Sequence, residues 1–272
     1  MAPQTARLLS LDVFRGITVA AMVLVNNPGT WSAIYAPLRH ADWHGWTPTD
    51  LVFPFFLFIV GVAIPFSLAP RGAAAGPGGA LPRVLRRALV IFALGIVLNG
   101  VPWFQWDTLR IPGVLQRIAV CYLVAALIYL ATGWRGQAIW TAALLIGYWG
   151  AMTLVAVPGH DAGDLGKQWN LAAYLDRAIL GPRHLWRAAK VYDPEGILST
   201  VPAVATTLSG VLAGQWLRSG RAPAVLVRGL AWAGVAGLVV GWIWGLVFPI
   251  NKSLWTSSYA VFTSGWALVA LA

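Results

Sequence analysis

The sequence predicts an all-α bundle of membrane-spanning helices, and three observations carry that prediction. Of the 272 residues, 58% are hydrophobic and only 10% are charged, whereas a soluble domain carries roughly a quarter charged residues. Long uncharged apolar runs recur along the whole chain, each close to the ~20 residues a helix needs to cross a bilayer. The runs are continuous and lack the short alternation of barrel strands, the other way to satisfy backbone groups in lipid. The chain reads as a single domain, 1–272, with about eight spans.

The first span covers about 12–28. Asp12 and Arg15 lie three apart near its start, where an ion pair is the default reading. Little charge precedes it and no clear cleavage site follows, so it is not a removable signal. It ends at Asn26-Asn27-Pro28-Gly29, a stop-and-turn signal. Asp50 is placed to cap the second span, 51–69. The Gly- and Ala-rich stretch 71–79 reads as a flexible linker, and the third span follows at 86–104. The fourth, 111–132, has Pro112 in its first turn. That puts Arg117 two turns in, at membrane depth. A guanidinium stays protonated, so it must point into the bundle, toward a carboxylate or a polar cavity. The fifth span is 137–158. The outer loop 159–195 is long for a plain connection, and 170–180 suits a short interfacial helix. Spans at 196–217, 225–248 and 253–272 complete the set. The last stops without a polar anchor, which points either to an exposed helix end or to a chain that continues beyond Ala272.

The net charge of +10 suggests nucleic acid at first sight, but membrane topology accounts for it. With the N-terminus inside, Arg7, Arg71, Arg83, Arg86, Arg87, Arg135, Arg218, Arg221 and Arg228 all fall in inner loops. The short outer loops then hold only Arg39, Arg110 and Lys252. This is the positive-inside pattern, so no nucleic-acid partner is expected. Sixteen tryptophans lie mostly near span ends, as amphipathic rings do at the headgroup level. Cys121 is the one cysteine; it excludes an internal disulfide, and its apolar setting argues against thiol chemistry.

The segment from His40 to Asp50 holds two of the four histidines and two of the nine acidic residues, hard against the second span. Ionisable groups at the mouth of a bilayer helix are functional candidates. Histidine as a residue type suits proton transfer near neutral pH, so His40 could serve as a general base or as a nucleophile; a histidine that only bonds its own loop fits the residues too. The His-x-Asp-x-His spacing of His40, Asp42 and His44 invites a metal, but Gly45 and Pro48 break a regular helix and no complete ligand set stands out, so none is expected. Asp50 could also orient His40. Asn26 could aim an amide at an oxyanion or simply end its helix. Arg117, Arg15 and Arg110 are the cationic candidates for a phosphorylated co-substrate. Asp193, Glu195, Asn251 and Lys252 on the outer side, with Asp50, could hold a sugar through hydroxyl and amine contacts, or be solvated loop and cap residues. No phosphate-binding, dinucleotide-binding or serine-hydrolase signature occurs.

Six motifs fall in order along the chain: Arg7-Leu-Leu-Ser-Leu-Asp-Val-Phe-Arg-Gly16, Val25-Asn-Asn27, His40 to Gly61, Leu109-Arg-Ile-Pro-Gly-Val-Leu-Gln-Arg117, Tyr192-Asp-Pro-Glu-Gly196, and Phe248-Pro-Ile-Asn-Lys-Ser-Leu-Trp-Thr-Ser-Ser-Tyr259. Together they resemble the heparan-α-glucosaminide N-acetyltransferase family, including its bacterial NagX-like members. Members usually carry further membrane helices, so the chain resembles the front and middle of one. The resemblance implies that an acetyl group passes from cytosolic acetyl-CoA, a co-substrate rather than a resident cofactor, to a glucosamine amine across the membrane. It places the catalytic histidine at His40 and its asparagine partner at Asn26. A multi-pass protein of a bacterial inner membrane, N-terminus cytoplasmic, is the implied setting, and a homodimer is compatible with it. Two competing readings keep the same membrane class: a sugar or amino-sugar permease, which needs access from both sides, and a glycan O-acyltransferase, which keeps His40 and changes the acceptor.

Overall fold

The computed structural model describes residues 8–272, with the side chains of 69–78 outside that description. Arg7 and the side chain of Arg71, with most of the expected linker 71–79, therefore lie outside the described residues. Eight α-helices are described: α1 (Leu9–Asn26), α2 (Val52–Gly100), α3 (Val114–Ala131), α4 (Trp134–Leu154), α5 (Leu171–Leu180), α6 (Thr200–Leu217), α7 (Pro223–Trp244) and α8 (Ser257–Leu271). Among the described residues there is no strand, and the all-α class holds.

Local chemistry sets the helix ends. The amides of Asn26 and Asn27 donate to the carbonyls of Met22 and Val23, satisfying groups that the last turn leaves open. Asn170 caps α5 by accepting from Ala173 N–H, so a short helix stands where one was expected at 170–180. The fourth expected span begins later than its apolar pattern suggested. Asn99 Nδ2 donates to the carbonyls of Arg110 and Pro112 at 2.9 and 3.0 Å, which holds 110–112 out of the helix. α3 therefore starts at Val114, and Arg117 stands in its first turn, not two turns in.

α6 is the axis of the bundle and packs against α2, α3, α4, α7 and α8. Close approach to α2 depends on small residues, as is common between membrane helices. A Cβ on Gly61 would lie 2.0 Å from the Thr207 carbonyl oxygen, and one on Gly210 would lie 2.1 Å from that of Phe58. The two described arms of α2, 52–68 and 79–100, lie side by side. Gly61 meets Thr207, Cys121 also bonds Thr207, and Arg87 stacks on Tyr122 beside it. A straight helix would set positions 61 and 87 about 39 Å apart.

Four helices among the described residues are long and apolar enough to cross a membrane: Leu9–Asn26, Pro48–Leu68, Val114–Ala131 and Pro223–Trp244. This does not establish the eight spans expected. The physical reason is clearest in α6, where Thr206, Thr207, Gly210 and Gly214 are buried against other helices. A helix shielded by its neighbours has little lipid-facing surface to make apolar. α1 and α7 are mostly exposed, by contrast, and strongly apolar on their outer faces.

The connections converge at two ends of the bundle. The loops after α1, α2, α5 and α7 meet at one end, joined by Gly45 N–H donating to Ile250 O at 2.8 Å and Ile111 N–H donating to His184 O at 3.0 Å. At the opposite end Gln215 bonds Gln137 and Arg218 reaches Pro65 O. The first of these two ends gathers His40, Asp50, Arg110, Asp193, Glu195, Asn251 and Lys252.

Candidate functional site

Asp50 organises the end-face and is fully buried. It sits in a short 3-10 turn, Pro48–Leu51, that leads into α2, with Thr47 as its cap. Its Oδ2 accepts from the backbone N–H of Thr47 at 3.0 Å and of Ala41 at 3.1 Å. Oδ1 lies 2.7 Å from His40 Nδ1, while Tyr259 donates its hydroxyl to the Asp50 carbonyl at 2.5 Å. The cap expected at the start of the second span is not made: α2 begins after Leu51 without a side-chain cap, and Asp50 instead reaches back to close its own 3-10 turn with one oxygen while the other meets His40. A carboxylate at Nδ1 sets the tautomer that keeps the proton there, so Nε2 is left as the acceptor. The His40 side chain is 47% exposed against 1% for Asp50.

Lys252 comes from the other side of the face. Its Nζ lies 3.0 Å from His40 Nδ1, 3.3 Å from Nε2 and 3.5 Å from Asp50 Oδ1. Burial draws its ammonium below the ordinary value, opposed by Asp50 and Glu195. The turn that delivers it closes on itself: Asn251 Oδ1 accepts from Leu254 N–H, and Asn251 N–H donates to Thr256. Trp255 in the same turn takes a positive φ of 50°, unusual for a bulky residue. Asn251 Nδ2 is 3.4 Å from His44 Nδ1, and burial lowers the His44 pKa.

A second cluster lies beside the first. Arg110 forms a bidentate pair with Asp193, at 2.9 and 2.6 Å, and also bonds Glu195. Burial works against the Arg110 cation, but the two carboxylates outweigh it and hold its pKa above the ordinary value. Asp193 also accepts from the N–H groups of Trp186 and Glu195. Arg110, Asp193 and Glu195 thus engage one another.

Arg117 is buried and faces the bundle interior. Its Nη2 donates to Gly196 O at 3.2 Å and to the Ser199 hydroxyl, and its guanidinium lies 5.1 Å from the Trp255 ring centroid. Its Nε and Nη1 have no hydrogen-bond partner among the described residues. The sequence left a carboxylate or a polar cavity open as its surroundings; its direct partners are a carbonyl, a hydroxyl and an aromatic face. Arg15 pairs with Asp12 at 2.6 Å on the exposed surface of α1. Asn26 is exposed and its amide is held by Met22, so no hydrogen bond joins it to His40 among the described residues.

Asp176 went unremarked in the sequence. On α5, it is buried, accepts from Ile197 N–H at 2.8 Å, and has its carboxyl pushed up to about 6 by burial, with Asp193 adding to the rise. Its one signal is a lone acid in the apolar run Leu171–Leu180. At the opposite end of the bundle a cleft of about 470 Å³ is lined by Ser67, Leu68, Ala80, Arg83, Arg87 and Tyr122.

An all-helical bundle with apolar outer helices and one ionised end-face is an integral membrane protein. Residues 7–245 match the family described as heparan-alpha-glucosaminide N-acetyltransferase, catalytic. The human protein named heparan-alpha-glucosaminide N-acetyltransferase is 34% identical across 97% of this chain, and the mouse protein of the same name is 31% identical across 97%. The chain belongs to this family. It spans about half the length of these curated relatives, 48% of each.

Proposed function

We propose that the chain forms the acyl-transfer centre of a membrane acetyltransferase that moves an acetyl group from acetyl-CoA to the amine of an amino sugar. The observation that carries this is the His40–Asp50 pair, 2.7 Å apart, on a half-exposed imidazole whose Nε2 already faces an amine, Lys252 Nζ at 3.3 Å. The names of the relatives supply the acetyl group and the glucosaminide acceptor.

In this reading the acceptor amine binds at His40 Nε2. As its nitrogen attacks the thioester carbon, Nε2 takes the proton, and Asp50 steadies the imidazolium that forms. The C–S bond breaks, and the proton passes to the departing thiolate. Lys252 provides positive charge beside the developing oxyanion. For Asn26 to act on the same oxygen, its amide must exchange Met22 O for it. The acyl donor approaches from the opposite end, where Arg83 and Arg87 suit phosphates. Asp50 and Ser67 are 17 residues apart in one helical arm, about 25 Å at 1.5 Å per residue, a span suited to an extended thioester arm. The open Nε and Nη1 of Arg117 suit that arm's amide carbonyls. Arg15, on the exposed surface of α1, is placed for a donor phosphate only at the inner boundary. Asn251, Asp193 and Glu195 border the acceptor side.

The arginine-rich end faces the cytoplasm and the His40 end faces outward, with the N-terminus inside, in a bacterial inner membrane. Labelling of a cysteine at position 162 from outside tests that sidedness. The activity is tested with purified protein, labelled acetyl-CoA and a panel of amino sugars and hydroxyl-only sugars. Label transferred only to amines supports the reading; transfer only to hydroxyls supports a glycan O-acyltransferase. Sugar counterflow without acetyl transfer would support the permease.

A further inference from the structure

Lys252 stands where the acceptor amine has to stand. Its Nζ is 3.0 and 3.3 Å from the two ring nitrogens of His40. A point nearly equidistant from both lies on the in-plane axis of neither lone pair, so the amine sits displaced over the face of the imidazole, and a small shift toward the ring plane brings it onto a nitrogen lone pair. Only 21% of the side chain is exposed. Burial lowers the Lys252 pKa, against the pull of Asp50 and Glu195, and a base lies beside the amine to take the proton that any acceptor must give up before it attacks.

We infer that Lys252 is an internal acyl acceptor, a modification site at which the enzyme acetylates itself when donor is bound and no amino sugar is present. The inference rests on the acyl-transfer reading above. In the step, the Nζ lone pair attacks the thioester carbonyl carbon, a C–N bond forms and the C–S bond breaks. The proton leaving Nζ passes through His40 to the thiolate, so free CoA thiol departs, His40 returns to its neutral form and an acetyl-lysine remains. The product loses the positive charge beside buried Asp50 and fills the space in front of His40. Donor without acceptor would thus silence the site.

The chain contains three lysines, Lys167, Lys190 and Lys252, and the other two are exposed, so they serve as internal controls. Purified protein in detergent is incubated with isotope-labelled acetyl-CoA, with and without glucosamine, and its peptides are mapped by mass spectrometry. Lys252 is expected to carry about ten-fold more label than Lys167 or Lys190, because proximity raises its effective concentration at the thioester. Glucosamine should suppress that label, and His40→Ala should abolish it. Labelled glucosamine with an unlabelled Lys252, equal label on all three lysines, or Lys252 label that persists in His40→Ala would each overturn the inference. If neither glucosamine nor any lysine gains label, the acyl-transfer reading fails and the inference falls with it.

Discussion

Replacing Asp50 by Asn removes one charge and almost no volume, and the geometry dictates where the damage falls. The carboxylate accepts at both oxygens: two backbone N–H groups at Oδ2 and the His40 ring at Oδ1. An asparagine has one oxygen. If it keeps the two backbone bonds, its NH₂ faces His40 Nδ1 and can only donate there. The imidazole then carries its proton on Nε2 and loses the lone pair that accepts from the substrate amine. The same change in a Ser–His–Asp triad costs about 10⁴ in kcat through the wrong tautomer, and general-base loss is worth about 10²–10⁴, so a fall in that range is expected. The fold should suffer less. The backbone bonds survive as neutral ones, and charge-assisted bonds are roughly twice as strong, which puts the loss at about 2 kcal/mol. The assay pairs labelled-acetyl turnover with thermal melting in detergent. Turnover within three-fold of wild type, or a melting collapse that accounts for the lost activity, would refute the tautomer argument.

Other perturbations follow from the same coordinates. His40→Ala should lower turnover by about 10²–10⁴ while His44→Ala, which leaves the Asp50 pair intact, does less; initial rates at matched protein compare them, and equal losses would contradict the assignment. Asp176 is pushed from 3.8 to about 6, so the native state holds an extra proton between those values. Its stabilising contribution is complete below pH 3.8 and is lost as pH rises through 6, on the order of 2–3 kcal/mol. Melting temperatures of wild type and Asp176→Asn from pH 4 to 7 should show that decline in the wild type alone. Arg110→Met strands Asp193, whose side chain is fully buried, and should cost about 3–5 kcal/mol; restoring stability with Asp193→Asn would identify the pair as the cause. Gly210→Ala drives a methyl toward the Phe58 carbonyl, 2.1 Å away, and should cost about 1–3 kcal/mol or more, measured as reduced melting temperature. An unchanged melt would mean that α2 and α6 separate easily.

Composition and periodicity alone indicated the all-helical membrane class, the short helix at 170–180 and the concentration of ionisable residues between His40 and Asp50. Apolar runs of span length and ionisable groups at a helix mouth are local properties, and six ordered motifs located the family. Tertiary structure decided the rest. Asn99 bonds residues 11 and 13 positions away, which moved the start of α3 and with it the depth of Arg117. Lys252, 212 residues from His40, read as one of several outer-loop polar residues until the bundle closed. Arg110 looked like a free cation because its partners, Asp193 and Glu195, come more than 80 positions later. Asp176 gave little signal because its raised pKa comes from burial, which belongs to the packed molecule. The expected count of eight crossings is not established, because a helix such as α6, read as a span from its apolar run, is enclosed by five helices and presents little surface to lipid. Residue type and spacing specify which helices form and which groups are costly to bury; only the packed bundle specifies which of those groups meet.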